Sequence, residues 1–430
     1  MSEHLNGQRS LVRIATAGSV DDGKSTLIGR LLHDTNTLMD DQLAAVERAS
    51  VRRGDGYTNL ALLTDGLRAE REQGITIDVA YRFFATPARS FIVADTPGHA
   101  QYTRNMVTGA STSDVAVVLV DARNGVVEQS RRHAYIAALL GVSRIVLAVN
   151  KMDLVGWDEE VFTVVAKELA EYLQGLPSPV EVTAIPVSAL HGDNIVKPSI
   201  NSDWYQGPTL LGLLETIDID SDRDHADIGA RLSVQWVVRP ISYEHHDYRG
   251  YAGRLTGGPL HPGDEVAVLP SGRRTTVEAI DTFEGPLVRA VPGQAITVRL
   301  AADLDVSRGD VIAAATGGAP TASVGNRIDT DVCWMIDSPL VRGGRYLIKH
   351  GTRTAKVVVE ALVHRLDVNT LEPESAPSRL ELNDLGRVKL RLGSPVVGDP
   401  YAVSRATGRF ILIDEGSNAT AAAGMIRSIS

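Results

Sequence analysis

The residues with the clearest chemical purpose form one glycine-rich run near the amino terminus. It reads Gly18-Ser19-Val20-Asp21-Asp22-Gly23-Lys24-Ser25-Thr26 and fits the spacing Gly-x-x-x-x-Gly-Lys-Ser/Thr. An apolar, strand-like run precedes it and a helix-like run follows, which is the context that this motif requires. Glycines let successive N–H groups face phosphate oxygens, and the helix start adds partial positive charge. We therefore predict that Lys24 reaches the β- and γ-phosphates of a nucleotide and that the Ser25 hydroxyl ligates Mg²⁺.

A carboxylate suited to the same metal ion follows a second apolar strand. Asp95 begins the sequence Asp95-Thr96-Pro97-Gly98 directly after residues 91–94. A side chain at the carboxyl end of such a strand lies at the ligand edge of an open α/β sheet. We expect Asp95 to hold Mg²⁺ through water and the Gly98 N–H to contact the γ-phosphate. The motif is weak alone but strong downstream of a phosphate loop.

A third motif, Asn150-Lys151-Met152-Asp153, follows the apolar strand at 144–149 and selects the base. The Asp153 carboxylate can accept hydrogen bonds from guanine N1–H and N2–H₂, which adenine lacks, and this discriminates by roughly 1–3 kcal/mol. We expect Asn150 to fasten the neighbouring loops and the Lys151 stem to cover one face of the base. The segment Ser188-Ala189-Leu190 offers main-chain N–H groups to guanine O6. The predicted ligand is GTP.

The polar segment 68–78 is expected to be a switch that responds to the γ-phosphate. Thr76 is the candidate second hydroxyl ligand of Mg²⁺, engaged only while that phosphate is present. His99, directly after Gly98, is the candidate that orients the attacking water, with an ordinary surface histidine as the alternative. Val20 and Ile75 are candidates for an apolar gate that restrains this histidine.

Composition restricts the class of protein. The chain of 430 residues has room for about two to four domains, and its hydrophobic content of 43% is ordinary. No apolar run approaches the length of a membrane span and the first residues are polar, so neither a span nor a signal peptide is expected. The single cysteine, Cys333, fits a reducing cytoplasm. A net charge of −10 argues against nonspecific nucleic-acid binding but leaves a local tRNA patch open.

The pattern of elements changes along the chain. Residues from about 10 to 220 alternate apolar strands with helical stretches, which predicts a doubly wound α/β domain with a mostly parallel sheet. An acidic run at 217–224 is typical of a linker. Beyond it, short strands separated by Pro-Gly turns indicate two β-barrels. The predicted domains are 1–222 for nucleotide binding, then barrels at 223–320 and 321–430.

Two polar clusters invite other functions. His245 and His246 are adjacent, so on a strand they face opposite ways, and we interpret 243–250 as a hairpin or loop rather than a metal site. A basic cluster is formed by Lys349, His350, Arg353 and Lys356. A solvated face is the favoured interpretation of this cluster, and a contact with a partner or a nucleic acid is the alternative.

Almost the whole chain resembles the translation-factor-type GTPases of the elongation-factor class. Within that class it is most similar to the large, GTP-hydrolysing subunit of bacterial sulfate adenylyltransferase. The stretches that carry this resemblance are 20–26, 70–84, 95–106 and 410–426. Elongation factors usually carry histidine where this chain has Asp22.

The resemblance implies a phosphate-loop GTPase domain followed by two β-barrels, acting in a two-subunit enzyme. That enzyme joins ATP and sulfate into adenosine 5′-phosphosulfate and pyrophosphate, coupled to GTP hydrolysis, with the adenylyl transfer on a small partner subunit. No second phosphate-loop motif occurs, so no adenylylsulfate kinase step is expected. The first alternative is an elongation factor that delivers aminoacyl-tRNA. The second is a free-standing regulatory GTPase, against which the two appended barrels weigh.

Overall fold

The computed structural model describes residues 10–38, 40–54, 57–63, 78–99, 102–176, 179–219, 228–240, 248–316, 319–320 and 322–430. The chain divides into two units. Unit 1 comprises residues 1–219 with 368–371, and unit 2 comprises 220–367 with 372–430. The three-domain division stays a prediction, because both barrels fall within unit 2.

Unit 1 is built on a six-stranded sheet with the order β2-β3-β1-β4-β5-β6. The strands are β1 Ser10–Ala17, β2 Ala80–Ala85, β3 Arg89–Asp95, β4 Val115–Asp121, β5 Arg144–Asn150 and β6 Glu181–Pro186. Only β2 runs antiparallel to its neighbour, and the other pairs are parallel. Every residue of β4 is buried, as expected for an apolar strand inside a parallel sheet. The predicted mostly parallel α/β sheet is confirmed.

Helices alternate with these strands. They are α1 Lys24–Asp34, α2 Asp40–Arg53, α3 Thr103–Ala110, α4 Glu128–Leu139, α5 Glu159–Gln174 and α6 Leu210–Thr216, with short 3₁₀ helices at Leu60–Leu63 and Met152–Val155. The apolar residues Leu27, Ile28 and Leu31 of α1 recur at helical spacing and enter the core with strands β1 and β3. Packing of this stripe holds the first turn of α1, and with it Lys24, at the carboxyl edge of the sheet.

The first sheet of unit 2 closes into a six-stranded barrel. Its strands are β7 Ala230–Val238, β8 Gly250–Gly257, β9 Glu265–Leu269, β10 Arg273–Thr282, β11 Gly285–Leu287, β12 Ala295–Leu300, β13 Val311–Thr316 and β14 Ala319–Pro320. The ring runs β7-β8-β12-β10-β9-β13 and returns to β7, because β9 pairs with both β10 and β13. Closure leaves no open edge within the ring.

The second sheet also closes into a ring of six strands. Its strands are β15 Ser323–Trp334, β17 Arg345–His350, β18 Arg353–Leu366, β19 Pro373–Ser375, β21 Leu385–Gly398, β22 Arg409–Ile413 and β23 Thr420–Ile429, while β16 Leu340–Val341 and β20 Arg379–Leu380 pair with each other in a separate two-stranded sheet. The ring runs β15-β21-β18-β17-β22-β23 and returns to β15. Trp334 is fully buried in its core and meets Tyr346 edge to face at 5.4 Å. The two predicted β-barrels are confirmed.

The two barrels share a buried ion pair inside unit 2. Arg231 of β7 donates from Nη2 to Asp399 Oδ1 at 3.1 Å and from Nε to Oδ2 at 3.3 Å. The Thr407 hydroxyl donates to the same Oδ2 at 2.8 Å. Apolar residues of both barrels pack in one cluster: Ala267, Leu269, Val311, Ala313, Ala322 and Val397. The joint between the barrels therefore combines apolar packing with a satisfied buried charge.

Candidate functional site

The glycine-rich run of unit 1 connects β1 to α1 in a tight loop. Gly18 has φ of 141° and Gly23 has φ of 94°, which L side chains rarely adopt. A β-carbon added to Gly18 would lie 2.6 Å from the Leu119 carbonyl oxygen. Glycine is therefore required at Gly18 both by conformation and by space. The loop ends at Gly23, where the free N–H groups of the first turn of α1 begin.

Lys24 is bent back onto this loop. Its ammonium donates to the Ser19 carbonyl at 2.7 Å and to the Gly18 carbonyl at 3.2 Å. Only 7% of the residue is exposed, and burial lowers the pKa of the ammonium against the opposing charges of Asp95 and Asp22. Both of these hydrogen-bond acceptors are main-chain carbonyl groups. An anionic ligand would offer this ammonium a stronger acceptor.

A hydroxyl and a carboxylate lie side by side below the loop. Ser25 Oγ approaches Asp95 Oδ2 at 3.5 Å, and Asp95 is buried at the end of β3. Such oxygen donors suit Mg²⁺. A β-carbon at Gly98 would collide with Lys24 Nζ and approach the Ser19 carbonyl at 2.8 Å, so the chain after Asp95 passes directly against the phosphate loop. The donor set and the cradle fit a nucleotide phosphate with its metal ion.

Asp22 places a carboxylate inside the phosphate loop. Its Oδ2 accepts a hydrogen bond from the Ser19 N–H at 2.5 Å, and only 4% of the residue is exposed. Burial raises the pKa of this carboxyl, while the Ser19 hydrogen bond and the Lys24 charge act in the opposite direction. The loop therefore places a buried acidic group close to the position expected for phosphates.

Asn150 links the phosphate loop to the loop after β6. Its Nδ2 donates to the Asp22 carbonyl at 2.7 Å, and its Oδ1 accepts from the Ala189 N–H at 2.9 Å. Asn150 and Ser188 are both buried. One amide thus joins the end of β5 to the two segments that the sequence assigns to phosphate and base.

The remaining base-motif residues flank that link. Lys151 has a positive φ of 63°, and its Nζ lies 2.9 Å from Asp121 Oδ2. Asp153 is partly exposed and lies 3.7 Å from His191 Nε2. The Lys151 stem is held by the pairing to Asp121, whereas the Asp153 carboxylate faces an accessible region.

Asp121 is a functional residue that the sequence reasoning missed. Burial disfavours its ionisation, but hydrogen bonds from Arg123 and Lys151 outweigh burial and hold the pKa well below its usual range. Arg123 Nη2 lies 2.6 Å from Asp121 Oδ2. The signal was present, because Asp121 ends β4 as Asp95 ends β3. A carboxylate at the end of each adjacent parallel strand belongs to the same edge.

His133 was also missed, and no sequence pattern singles it out. It is fully buried on α4, and its Nδ1 accepts a hydrogen bond from the Gly18 N–H at 3.1 Å. Burial, reinforced by the charges of Lys24 and Arg132, lowers its pKa to about 3. A neutral imidazole therefore anchors the first residue of the phosphate loop.

Arg30 supports the base loop from α1. Its Nη2 donates to the Leu190 carbonyl, and its Nε donates to the Ala189 carbonyl at 3.4 Å. Beside it lies a cavity of about 520 Å³, bounded by α1, α2 and the base loop. The cavity lining includes His33, Tyr57 and His191.

Several sequence-predicted residues stand apart from this arrangement. Thr76, Ile75 and the His245–His246 pair lie outside the described residues. His99 is exposed, and its ring lies 6.1 Å from that of Tyr102, edge to face. Val20 is half-buried on the phosphate loop. The structure thus brings together the phosphate-loop and base-loop residues, with His99 one residue beyond Gly98.

The basic cluster predicted around residue 350 does not form one face. His350 is buried and its Nε2 lies 2.7 Å from the Thr407 carbonyl oxygen, and burial lowers its pKa. Arg353 pairs with Asp310 at 3.6 Å, whereas Lys349 and Lys356 are exposed. Alternation along β17 turns His350 into the core, so His350 does not belong to the cluster, whereas Lys349 and Lys356 are solvated as the favoured interpretation predicts.

Comparisons with known proteins agree with this geometry. The family profile described as elongation factor Tu GTP binding domain matches residues 9–236, and one described as GTP-eEF1A C-terminal domain-like matches 327–427. The bifunctional enzyme CysN/CysC of Mycobacterium tuberculosis (strain CDC 1551 / Oshkosh) is 55% identical over 97% of this chain and 67% of that protein. Sulfate adenylyltransferase subunit 1 of Aliarcobacter butzleri (strain RM4018) is 49% identical over 100% of this chain and 90% of that protein.

Among solved structures, sup35 complexed with GDP covers 100% of this chain and 97% of its own, at 23% identity and a TM-score of 0.43. Across the described residues, no helix has both the length and the apolar character needed to span a bilayer.

Proposed function

The chain belongs to the sulfate adenylyltransferase subunit 1 family of translation-factor-type GTPases, and from that membership we propose how its site works. It is the GTPase subunit of a sulfate-activating enzyme. We propose that it binds GTP with Mg²⁺ and that GTP hydrolysis drives the synthesis of adenosine 5′-phosphosulfate and pyrophosphate from ATP and sulfate. The adenylyl transfer itself is assigned to a small partner subunit.

The observation that carries this proposal is the single amide that joins the two halves of the nucleotide site. Asn150 bonds both the phosphate loop at Asp22 and the base loop at Ala189. A base-reading carboxylate, Asp153, follows it on the same segment. These contacts support one nucleotide site in the described part of the chain, and we propose that it takes guanine rather than the ATP of the adenylyl transfer.

Lys24 is the principal phosphate ligand in this proposal. In the structure its ammonium rests on the Gly18 and Ser19 carbonyls. Phosphate oxygens carry full charge and hydrogen-bond more strongly than carbonyls, so the ammonium exchanges its acceptors when GTP enters. The N–H groups of Gly23, Lys24, Ser25 and Thr26 complete the cradle.

Ser25, Asp95 and Thr76 are assigned to Mg²⁺, Asp95 acting through water. The bound ion supplies neutralisation of the charge that develops on the β- and γ-phosphates. Ser25 Oγ and Asp95 Oδ2 are already neighbours at 3.5 Å. Thr76 belongs to the switch and engages only when the γ-phosphate is present.

His99 is assigned to orienting the attacking water. It follows Gly98, whose main chain touches the phosphate loop at Ser19. The ring is exposed at the surface, and we expect closure of the switch or docking of the partner to bring it over the γ-phosphate. Water orientation contributes to turnover and leaves nucleotide affinity nearly unchanged.

The test is incorporation of radiolabelled sulfate into adenosine 5′-phosphosulfate with this chain alone, the small subunit alone, and both together. We expect product only from the pair, with faster GTP hydrolysis than from this chain alone. A non-hydrolysable GTP analogue should fail to support full accumulation, because the uphill step then lacks its coupled reaction. Product from this chain alone would contradict the two-subunit proposal, and stimulation of GTP hydrolysis by ribosomes would favour a translation factor.

A further inference from the structure

The outer face of the second barrel concentrates cations on a chain whose net charge is −10. Strands β18, β21, β15 and β23 are neighbours in that order. Along β21, buried Val388 and Leu390 alternate with outward-facing cations, and the neighbouring strands follow the same rule. The cations of this surface, called the arginine face below, are Arg327, Lys356, Arg387, Lys389, Arg391 and Arg427.

Two of these arginines stand directly opposite each other. Arg327 of β15 pairs in register with Arg391 of β21, and like charges at such positions destabilise a strand pair. Both reach the same carboxylate, Glu360, at 3.5 Å. Their side chains stay 62% and 55% exposed, so the shared contact is a weak one. The repulsion between Arg327 and Arg391 therefore lowers the stability of the barrel, and both guanidinium groups remain largely exposed to solvent.

The carboxylates of the face are already engaged by other arginines. Arg387 donates to Asp329 from Nε at 2.7 Å and from Nη2 at 2.8 Å, and Arg427 Nε donates to Asp331 at 2.6 Å. Lys389 stands opposite Asp329 in the register but makes no ion pair within 4 Å to a residue that the structure describes. The pairs of Arg387 and Arg427 with these carboxylates are fixed. The surplus positive charge lies on Lys356, on Lys389, and on Arg327 and Arg391, which share one carboxylate.

We propose that the arginine face docks an acidic surface of the small adenylyl-transferring subunit. This rests on the proposed function, which requires such a partner. Arginine is favoured at protein interfaces because its planar fork binds carboxylates in a fixed geometry and desolvates easily. Charge complementarity against an acidic partner would relieve the Arg327–Arg391 juxtaposition, which the chain alone compensates with the single carboxylate of Glu360.

A nucleic acid fits the same face less well. Asp329, Asp331 and Glu360 lie among the cations and would repel a continuous phosphate backbone. Among the described residues of β15, β18, β21 and β23, no Phe, Tyr or Trp stands on the outward side as a platform for base stacking, and the half-buried His364 beside Arg387 is the aromatic ring nearest the face. A protein surface can place its carboxylates opposite Arg327 and Arg391 and avoid the three acidic positions.

The experiment compares the association of the purified small subunit with the wild-type chain and with the double variant Arg327→Glu/Arg391→Glu, each loaded with GTP, at low and at moderate salt. We expect charge reversal to slow association at least about tenfold at low salt and to flatten its salt dependence. Lysine at both positions should retain most of the rate, because it keeps the charge. The matched control is Arg273→Glu/Arg274→Glu on β10, an equally exposed pair in the other barrel, which should stay within about twofold.

Chemical denaturation of each variant, with the wild-type chain beside it, checks that the second barrel is folded. Intrinsic GTP hydrolysis should be unchanged in every variant, because the arginine face belongs to unit 2 and the nucleotide site to unit 1. Association of the small subunit with the Arg327→Glu/Arg391→Glu variant at the wild-type rate would overturn the docking site alone. Binding of tRNA by the wild type that the reversal abolishes would overturn the choice of a protein partner. Absence of any binding between the small subunit and the wild type would overturn the proposed function, and the docking site with it.

Discussion

Lys24 in unit 1 and Arg231 in unit 2 are both buried cations, yet they are stabilised in different ways. Arg231 is paired with the Asp399 carboxylate through two nitrogens, and further carbonyls take its remaining donors. Lys24 rests on two main-chain carbonyls. A buried cation that is hydrogen-bonded to a carboxylate of its own chain is structural, whereas one whose hydrogen bonds go to main-chain carbonyls can exchange them for those of an incoming anion.

The two buried cations differ in how far their own chain offsets the free-energy cost of desolvation. Burial lowers the pKa of the Lys24 ammonium, which means that its desolvation is only partly offset in the chain alone. The Arg231–Asp399 pair is complete without a ligand and receives a further bond from Thr407. Substitutions should therefore separate stability from ligand binding, each residue affecting one of the two.

The largest expected effect is on folding, at Arg231. Arg231→Met leaves the buried Asp399 carboxylate without its cation and should lower the free energy of unfolding by about 3–5 kcal/mol. Chemical denaturation measures this loss. Arg231→Met combined with Asp399→Leu should recover much of it, because an apolar pair replaces the charges. GTP affinity at a temperature where the variant is folded should be unchanged, and a large loss of affinity would break the comparison.

Lys24→Met should give the opposite result. It removes a cation from the phosphates and should weaken GTP binding by about 3 kcal/mol, or roughly 100-fold. Stability of the nucleotide-free chain should not fall, since the substitution also removes a buried charge whose desolvation is poorly offset. Fluorescent GTP titration and denaturation of the free chain measure the two quantities. A loss of stability comparable to that of Arg231→Met would mean that Lys24 is a structural cation.

His99→Ala tests an exposed group of the same site. If the imidazole orients water only, turnover should fall by roughly 100-fold while GTP affinity stays within a few-fold. Single-turnover hydrolysis and equilibrium binding separate the two effects. Equal losses of affinity in the His99 and Lys24 variants would remove His99 from the role given to it.

Asp153→Asn concerns base selection. The asparagine offers an amide donor toward the guanine amino group and loses one acceptor, so GTP should bind about 1–3 kcal/mol more weakly while XTP, with a carbonyl at that place, binds better. Competition between GTP and XTP for hydrolysis reports the change. Because Asp153 is partly exposed, the thermal midpoint should scarcely move. An unaltered preference for GTP would exclude Asp153 from the base site.

The smallest effect is expected for Asp22→Asn, which keeps the acceptor for the Ser19 N–H and removes the charge. GTP affinity should rise by less than about tenfold, because repulsion between carboxylate and phosphates is lost. Burial raises the pKa of Asp22 in the folded chain, so its contribution to stability is complete below the unfolded pKa of 3.8 and is lost as the pH rises through the folded pKa. The variant should lack this loss, which unfolding midpoints between pH 4 and pH 8 would reveal.

Local motifs made the nucleotide site predictable to a large extent. The phosphate loop, Asp95 and the segment at Asn150 each follow a strand end, and strand ends of a parallel sheet converge at one edge. The same rule applies to Asp121, which ends β4, although the sequence analysis did not single it out. His133 differs, because its bond to Gly18 depends on how α4 packs across the sheet, and no spacing along the chain encodes that packing.

The sequence predicts that the second half of the chain forms β-barrels, but it does not predict which residues join the two barrels. Short strands and Pro-Gly turns indicate barrels, but ring closure depends on pairings such as β9 with β13 that are distant in sequence. Arg231 and Asp399 lie 168 positions apart, and neither stands in a recognisable motif. His350 entered the predicted basic cluster because its neighbours are cationic, although strand alternation turns it into the core.

The double hydrogen bond of Asn150 has a kinetic consequence. The Asn150 side chain hydrogen-bonds to the main chain of both loops, so displacement of either loop strains the other. We therefore expect the contacts to the base and to the phosphates to weaken together. Release of GDP is then expected to be one concerted step, in which the phosphate and the base lose their contacts together, rather than two successive steps. A partner that promotes exchange of GDP for GTP would therefore need to displace only one of the two loops, because the other loop would lose its Asn150 hydrogen bond as well.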